Sequence, residues 1–248
     1  MLLNDKVTIV TGAAMGIGAG IAEEFAAQGA TVFLLDRQEE LCEQRAAAIR
    51  EAGGNARAFR ADVTKPREVA AAVEEILARH GRLDVVVNNA GIYPRRLFAD
   101  MTESEWDEVH DVNLKSLFHV TKLVLPPMIA RRSGKIINIS SVTFFKGMAK
   151  LTHYVAAKGG MIGFTRALAR EVGEHNIHVN CITPGAIRTE GEAVHADPAA
   201  IAEIQSRQCL NRRLLPADIA GPCVFLASSL SDGMTGQTLN VDGGLILY

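Results

Sequence analysis

Short apolar runs alternate with longer amphipathic stretches along the whole chain. The runs are Val7–Val10, Thr31–Leu35, Ala56–Arg60, Val85–Val87, Lys135–Ile139, His178–Ile182 and Thr238–Val241. They are rich in β-branched residues and bounded by Gly, Asn or Asp, which is how strands buried on both faces read. Between them, helical spacing predicts helices near 17–28, 38–52, 66–79, 102–131, 153–173 and 216–228. Thr102-Glu103-Ser104-Glu105 reads as a capping box. Pro66 and Pro216 suit a first helical turn, where a missing N–H costs little. Gly29, Gly53 and Gly134 stand where helices stop and suit left-handed caps. Pro126 and Pro127 predict that the long helix kinks or ends after Leu125.

Seven strands alternating with six helices predict an α/β, doubly wound Rossmann fold, a seven-stranded parallel sheet with helices on both faces. The 248 residues carry no repeat or linker, so one domain over 1–248 is expected. The stretch 189–216 lacks a strand pattern and is expected to be a loop with short helices, a lid over the site.

Composition narrows the function classes. A formal charge of −2, with no basic cluster longer than Arg131-Arg132, argues against a nucleic-acid binder. No run of about 18 uncharged apolar residues occurs, and the N-terminus has no hydrophobic signal region, so a cytoplasmic protein off the membrane is expected. Cys42, Cys181, Cys209 and Cys223 form no CxxC pair and lie near no His at ligand spacing. Free thiols and no metal site are expected.

The first strand runs into Thr11-Gly12-Ala13-Ala14-Met15-Gly16-Ile17-Gly18. Gly12 allows a tight turn, Gly16 lets the backbone approach a pyrophosphate, and Gly18 lets the next helix pack close. The helix from Ile17 points its N–H groups and dipole at the phosphates. Met15 adds no positive charge to the loop. Asp36, at the end of the second strand, can bond the adenosine ribose hydroxyls and repel a 2′-phosphate, or it can cap the next helix. That favours NAD over NADP, against the adjacent Arg37, which can pair with a 2′-phosphate. Asp62 can accept from an adenine amino group with Val63 packed on the ring, or cap the helix near Pro66.

Tyr154 and Lys158 lie four apart on a predicted helix and share one face. A tyrosine hydroxyl titrates near 10, and a neighbouring ammonium should lower that value. Tyr154 can then exchange a proton with an alcohol or carbonyl oxygen near neutral pH. Lys158 can also donate to a nicotinamide ribose. Ser141 follows a strand at the sheet edge where α/β ligand sites lie, and can hold the substrate oxygen. Asn113 interrupts the long helix, where a polar side chain or a local kink can hold a water linking Lys158 to solvent.

These motifs resemble the short-chain dehydrogenase/reductase family over essentially the whole chain. The matching residues are 11–18, Asp62-Val63, Asn88-Asn89-Ala90-Gly91, Asn113, Ser141, Tyr154 with Lys158, and Pro184-Gly185. The resemblance implies an Asn113–Ser141–Tyr154–Lys158 tetrad with Tyr154 as acid/base. It implies a cofactor flanked by Asn89, Ala90 and Gly91, with Pro184, Gly185, Ile187 and Thr189 at its nicotinamide end. It also implies a homotetramer. The family's serine-to-tyrosine spacing favours Ser141 over Ser140.

Narrower stretches resemble pyridoxal 4-dehydrogenase-like and 1-phenylethanol dehydrogenase-like members. The expected activity is NAD(H)-dependent interconversion of an alcohol and its ketone or aldehyde. A 3-oxoacyl-thioester reductase, a sugar dehydrogenase and a non-catalytic dinucleotide-binding regulator are the alternatives. Expected pocket residues are Tyr93, Phe144, Phe145, His153, Ile187 and the segment 190–195. His153 can instead point off the active face, and the phenylalanines can instead be core. Arg95, Arg96 and Arg188 can receive a carboxylate or phosphate.

Overall fold

The computed structural model describes residues 1–191 and 198–247. Its strands are β1 (Val7–Thr11), β2 (Thr31–Asp36), β3 (Asn55–Arg60), β4 (Val85–Asn88), β5 (Gly134–Ile139), β6 (Ile177–Pro184) and β7 (Thr238–Val241). They form one parallel sheet in the order β3-β2-β1-β4-β5-β6-β7, so each predicted run is a strand. The strand order reverses between β1 and β4, which opens a crevice at their carboxyl ends. Thr8 pairs with both Val32 and Val85, so these central strands stay level and deliver their ends to that crevice together.

The helices are α1 (Gly16–Ala27), α2 (Glu39–Glu51), α3 (Pro66–His80), α4 (Glu103–His110), α5 (Ser116–Arg131), α6 (Thr143–Lys146), α7 (Thr152–Val172), α8 (Pro198–Ser206) and α9 (Pro216–Ala227). Side chains alternate across the pleat. Val10, Val32 and Leu34 face one core with Ile21 and Phe25 of α1 and Val224 of α9. Ile9, Phe33 and Val86 face a second core with Val73 of α3, Val120 of α5 and Leu168 of α7. Burial of a large apolar side chain contributes about 1.5–3 kcal/mol, so both cores clamp the strand ends that carry the polar residues.

Three local expectations change. The predicted helix over 102–131 is divided by a π-turn at Asp111–Lys115 that holds Asn113. Pro126 and Pro127 do not end α5, which continues to Arg131. Pro126 lies on the exposed face above exposed Lys122, whose carbonyl can bond water, while buried Val124 and Met128 anchor both sides. Gly29 and Gly53 do adopt positive φ, but Gly134 does not; Arg132, at φ 50°, closes α5 instead. Gly134 opens β5 with Met128 packed where a Cβ would sit. Of the predicted lid, 192–197 lie outside the described residues; the remainder includes α8.

Candidate active site

The glycine-rich turn is fastened to the neighbouring strand before any ligand is considered. Thr11 Oγ1 accepts from the Asn89 and Ala90 N–H groups at 3.0 and 3.1 Å. Asn89 Nδ2 donates to the Thr11 and Gly12 carbonyls at 2.9 and 3.0 Å. A Cβ on Gly18 would run into the Gly12 carbonyl oxygen, so only glycine lets α1 start this close to β1. Neither Thr11 nor its clamp with Asn89 was expected to matter from the sequence; a Thr before the first glycine and an Asn pair after β4 were the available signals.

Asp36 is buried at the end of β2 and accepts from the Ala14 N–H at 3.1 Å and the Gln38 N–H at 3.0 Å. It therefore ties the glycine turn to β2 and also stabilises the entry to α2. Arg37 is exposed and acts on Asp62. Burial works against the Asp62 carboxylate, but the Thr64 N–H and hydroxyl, with Lys65 and Arg37, hold it below the usual carboxylate range. Those Thr64 bonds, at 2.9 and 2.8 Å, show Asp62 shaping the turn before α3, with Val63 buried beside it. Across the crevice, Pro184 ends β6, Gly185 donates to the Val241 carbonyl, and buried Ile187 bridges to Leu214. The chain then arches back. Thr189 packs at Gly16, and Glu190 accepts from the Gly16 N–H at 3.2 Å and from Arg45 at 2.9 Å.

Ser140 and Ser141, indistinguishable by type, point to different tasks. Ser140 donates to the Lys158 carbonyl at 2.7 Å and pins α7 to β5. Ser141 Oγ accepts from the Thr143 N–H and hydroxyl at 3.2 and 3.0 Å and hydrogen-bonds Tyr154. Tyr154 lies in the first turn of α7, and Lys158 one turn on. The Lys158 ammonium is buried, donates to the Ile139 carbonyl at 2.7 Å, and sits 5.6 Å from the Tyr154 ring centre.

Burial pushes the Tyr154 hydroxyl up to about 12, with the Ser141 hydrogen bond opposing. The expectation that Lys158 would lower it fails in the protein alone. Burial holds Lys158 itself down to about 8, so both groups lean toward their neutral forms.

Asn113 is buried, and both of its amide N–H groups are engaged by the chain. Its Oδ1 accepts from the Ile92 N–H at 3.2 Å, and its Nδ2 donates to the Ile92 and Val109 carbonyls at 2.9 Å each. The π-turn thus fixes the loop after β4, with the Asn113 side chain tying it to Ile92. Gly91 fills the gap beside it: a Cβ there would lie 2.7 Å from Asn113 Oδ1 and 3.5 Å from Lys158 Nζ.

Tyr93 meets Tyr154 edge-on at 6.0 Å, and the half-exposed Phe144 and Phe145 rings lie 5.2 Å apart. The phenylalanines are therefore not core. His153 is a correction to the expected pocket: its ring is wholly buried, and His110 and Glu105 of α4 are the charges that reach it. Adjacent helix residues diverge by about 100°, so His153 turns off the Tyr154 face. Its Nδ1 accepts from the Tyr154 N–H at 2.9 Å. Arg96 is bound to Glu105 at 2.6 Å. Expected pocket residues 192–195 lie outside the described residues. Among the described residues no group of three His, Cys, Asp or Glu can hold a metal, and no helix is long and apolar enough to cross a membrane.

A family model described as enoyl-(acyl carrier protein) reductase matches residues 12–246. The chain is 44% identical over 245 residues to a 3-oxoacyl-[acyl-carrier-protein] reductase of Chlamydia muridarum, covering 98% of both. It is 38% identical to the 2-dehydro-3-deoxy-D-gluconate 5-dehydrogenase of Escherichia coli, covering 98% of this chain and 96% of that one. It is also 38% identical to the cyclopentanol dehydrogenase of a Comamonas species, covering 98% and 97%. A crystal structure assigned as a gluconate dehydrogenase from Agrobacterium tumefaciens superposes with a TM-score of 0.94 at 34% identity, over 99% of this chain and 98% of that one. These relatives support the wider resemblance and not specifically the pyridoxal or phenylethanol types.

Proposed function

The chain belongs to the short-chain dehydrogenase/reductase family of oxidoreductases, and from that premise we propose that it interconverts an alcohol and its ketone or aldehyde with NAD(H). The observation that carries the reading is the buried Lys158 ammonium 5.6 Å from the centre of the Tyr154 ring, one turn along α7 and beside the end of β5 that carries Ser141. The residues around it fit a dinucleotide. Gly18 admits the close start of α1, Gly91 lets the loop after β4 approach Asn113 and Lys158 closely, and Asp36 presents a buried carboxylate at the end of β2. Gly12, Met15, Gly16, Ile17, Asn89, Ala90 and Thr189 would line the phosphates and ribose, with Arg37, Asp62 and Val63 toward the adenine. Pro184, Gly185 and Ile187 would flank the nicotinamide.

When bound, the cofactor supplies the hydride acceptor or donor. Ser141 holds the substrate oxygen, and Tyr154 removes its proton or returns it. The neutral tyrosine of the protein alone is the form that gives a proton to a carbonyl. Alcohol oxidation needs the phenolate, so the oxidative rate should rise with pH and the reductive rate fall on the alkaline side. Lys158 steadies the phenolate electrostatically and would bond the nicotinamide ribose. Asn113 positions the Ile92 loop through its amide. Self-association as a homotetramer in the cytoplasm belongs to the same proposal; exposed Phe98 and Phe118 supply apolar surface for it.

The test is an alcohol and ketone panel read by NADH absorbance, run beside the same panel with NADP⁺. NAD⁺ should be preferred by about ten-fold or more, and Asp36→Ala should narrow that ratio. Clear NADPH preference with a 3-oxoacyl thioester would favour the reductase reading that the Chlamydia relative suggests. A sugar accepted over simple alcohols would favour a sugar dehydrogenase. Dinucleotide binding without turnover across the panel would make the protein a regulator.

A further inference from the structure

Two carboxylates bond directly to the glycine turn, one from each side. Asp36 takes the Ala14 N–H at 3.1 Å from the end of β2. Glu190 takes the Gly16 N–H at 3.2 Å from the segment after β6. Gly16 opens α1, so the second carboxylate sits at the positive end of that helix, on a donor that the dinucleotide reading gives to a phosphate.

Glu190 is held there by the arch that carries it. Ile187 bridges to Leu214, and the Arg188 N–H donates to the Leu214 carbonyl at 2.8 Å. Pro216, two residues on, packs where a Cβ on Gly20 of α1 would sit. Thr189 packs over Gly16 itself: a Cβ there would lie 3.3 Å from its methyl carbon. The backbone before Glu190 is thus docked on the same helix whose first N–H its side chain meets.

The guanidinium bonded to this turn is already shared. Arg45 Nε donates to the Ala14 carbonyl at 3.2 Å, and its two amino groups face Glu190 at 2.9 Å and Glu23 at 3.6 Å. Ala14 therefore joins Asp36 through its N–H and Arg45 through its carbonyl, which puts Arg45 at the end of the turn read as meeting the adenosine ribose. The Arg45 and Glu190 side chains are 33% and 57% exposed, and an ion pair that open contributes little to folding. Its larger effect is on local charge. In these contacts three carboxylates face one guanidinium, which opposes any phosphate beyond those the turn's N–H groups can hold.

We propose that Glu190 is a second determinant of cofactor choice, acting from the opposite side of the turn to Asp36. It competes for the Gly16 N–H and neutralises Arg45, so that NAD(H) is accepted and the additional phosphate of NADP(H) is opposed. This rests on the reading that the turn holds a dinucleotide.

The test is fluorescence titration of NADH and of NADPH without substrate, beside thermal melts. The parent should bind NADH the more tightly. Glu190→Gln keeps the side-chain length and an acceptor oxygen and removes the charge. It should tighten NADH about three-fold and NADPH about ten-fold, narrowing the ratio of the two dissociation constants about three-fold. The gain should shrink at roughly 0.5 M salt, where exposed charges are largely screened. Arg45→Gln leaves Glu190 without its counter-charge and should move the other way, weakening NADPH more than NADH. An unmoved ratio or equal changes for the two cofactors in Glu190→Gln overturn the assignment. So do a gain undiminished by salt and NADPH tightened by Arg45→Gln. A parent that binds neither dinucleotide, or prefers NADPH, removes the cofactor reading and this one with it. A parent that binds NADH the more tightly, with the ratio unmoved in Glu190→Gln, removes only the role of Glu190.

Discussion

At the amino ends of the strands, the carboxylate of Asp84 is buried and fully answered. It accepts from the Val7 N–H at 2.8 Å, from Arg82 at 2.8 and 2.6 Å, and from Arg131 at 3.2 Å. Burial opposes its charge, but Arg82 and the other donors hold it below the usual carboxylate range. At the carboxyl ends, Lys158 is buried and Tyr154 half-buried, with few partners, and loss of solvent drives both toward neutrality. A cavity of about 290 Å³ lies at the amino edge, lined in part by Asp84, Lys6, Lys135 and Asp232. There Lys135 is already paired with Asp232 at 2.7 Å. Volume therefore does not separate the two edges. What separates them is whether buried ionisable groups have been satisfied by the chain itself.

The comparison breaks most directly at Tyr154. Tyr154→Phe should lose about 10²- to 10⁴-fold in turnover, the usual worth of positioned acid–base catalysis, while NADH binding and melting temperature stay close to the parent. Full activity would remove Tyr154 from the chemistry. Asp84 should answer in the opposite way. Asp84→Ala leaves the buried Val7 N–H without its acceptor and the half-exposed Arg82 and Arg131 without their partner, and should cost about 1–3 kcal/mol in denaturant unfolding. Activity per folded molecule should hold. The parent's Asp84 contribution is complete above the ordinary carboxylate value near 3.8 and is lost as pH falls through its lowered folded value, so Asp84→Ala should flatten the acid limb of the stability curve.

Most of the fold was legible because it rests on periodicity. The inner strands are largely buried and leave apolar runs, and the edge strands β3 and β7, only partly buried, still stand out between the helical stretches. Breaks in the pattern depended on context instead. Pro126 is tolerated because the Lys122 carbonyl it leaves without a helical partner lies on the exposed face, and chain spacing alone does not say which face that is. The site divides similarly. The four-residue spacing of Tyr154 and Lys158 and the placement of the glycines were readable, since each is local. Ser140 and Ser141 are adjacent and chemically alike; the family's spacing favours Ser141, and the fold adds that Ser140 is spent on the Lys158 carbonyl. The burial that reverses the expected shift on Tyr154 is a product of tertiary packing with no sequence signal.

Lys158 sharpens the comparison at a smaller scale. A lysine held near 8 gives up its proton in the folded state while the unfolded chain keeps it up to the ordinary value of 10.5. Over that window the unfolded state binds more protons, so the parent's stability should rise with pH. Below about 8 both states are protonated and the whole cost of the buried ammonium is carried by the fold. Lys158→Met keeps the length of the side chain and removes that cost. It should stabilise the protein at neutral pH by on the order of 2 kcal/mol, discounted for the lost bond to Ile139, and abolish the alkaline rise. Activity should fall sharply in the same variant. A gain in stability with a loss of turnover would mark Lys158 as a group kept at the carboxyl edge for chemistry, against an Asp84 kept at the amino edge for the fold. A destabilised Lys158→Met, with the alkaline rise intact, would instead place Lys158 beside Asp84 among the satisfied charges and erase the distinction between the two edges.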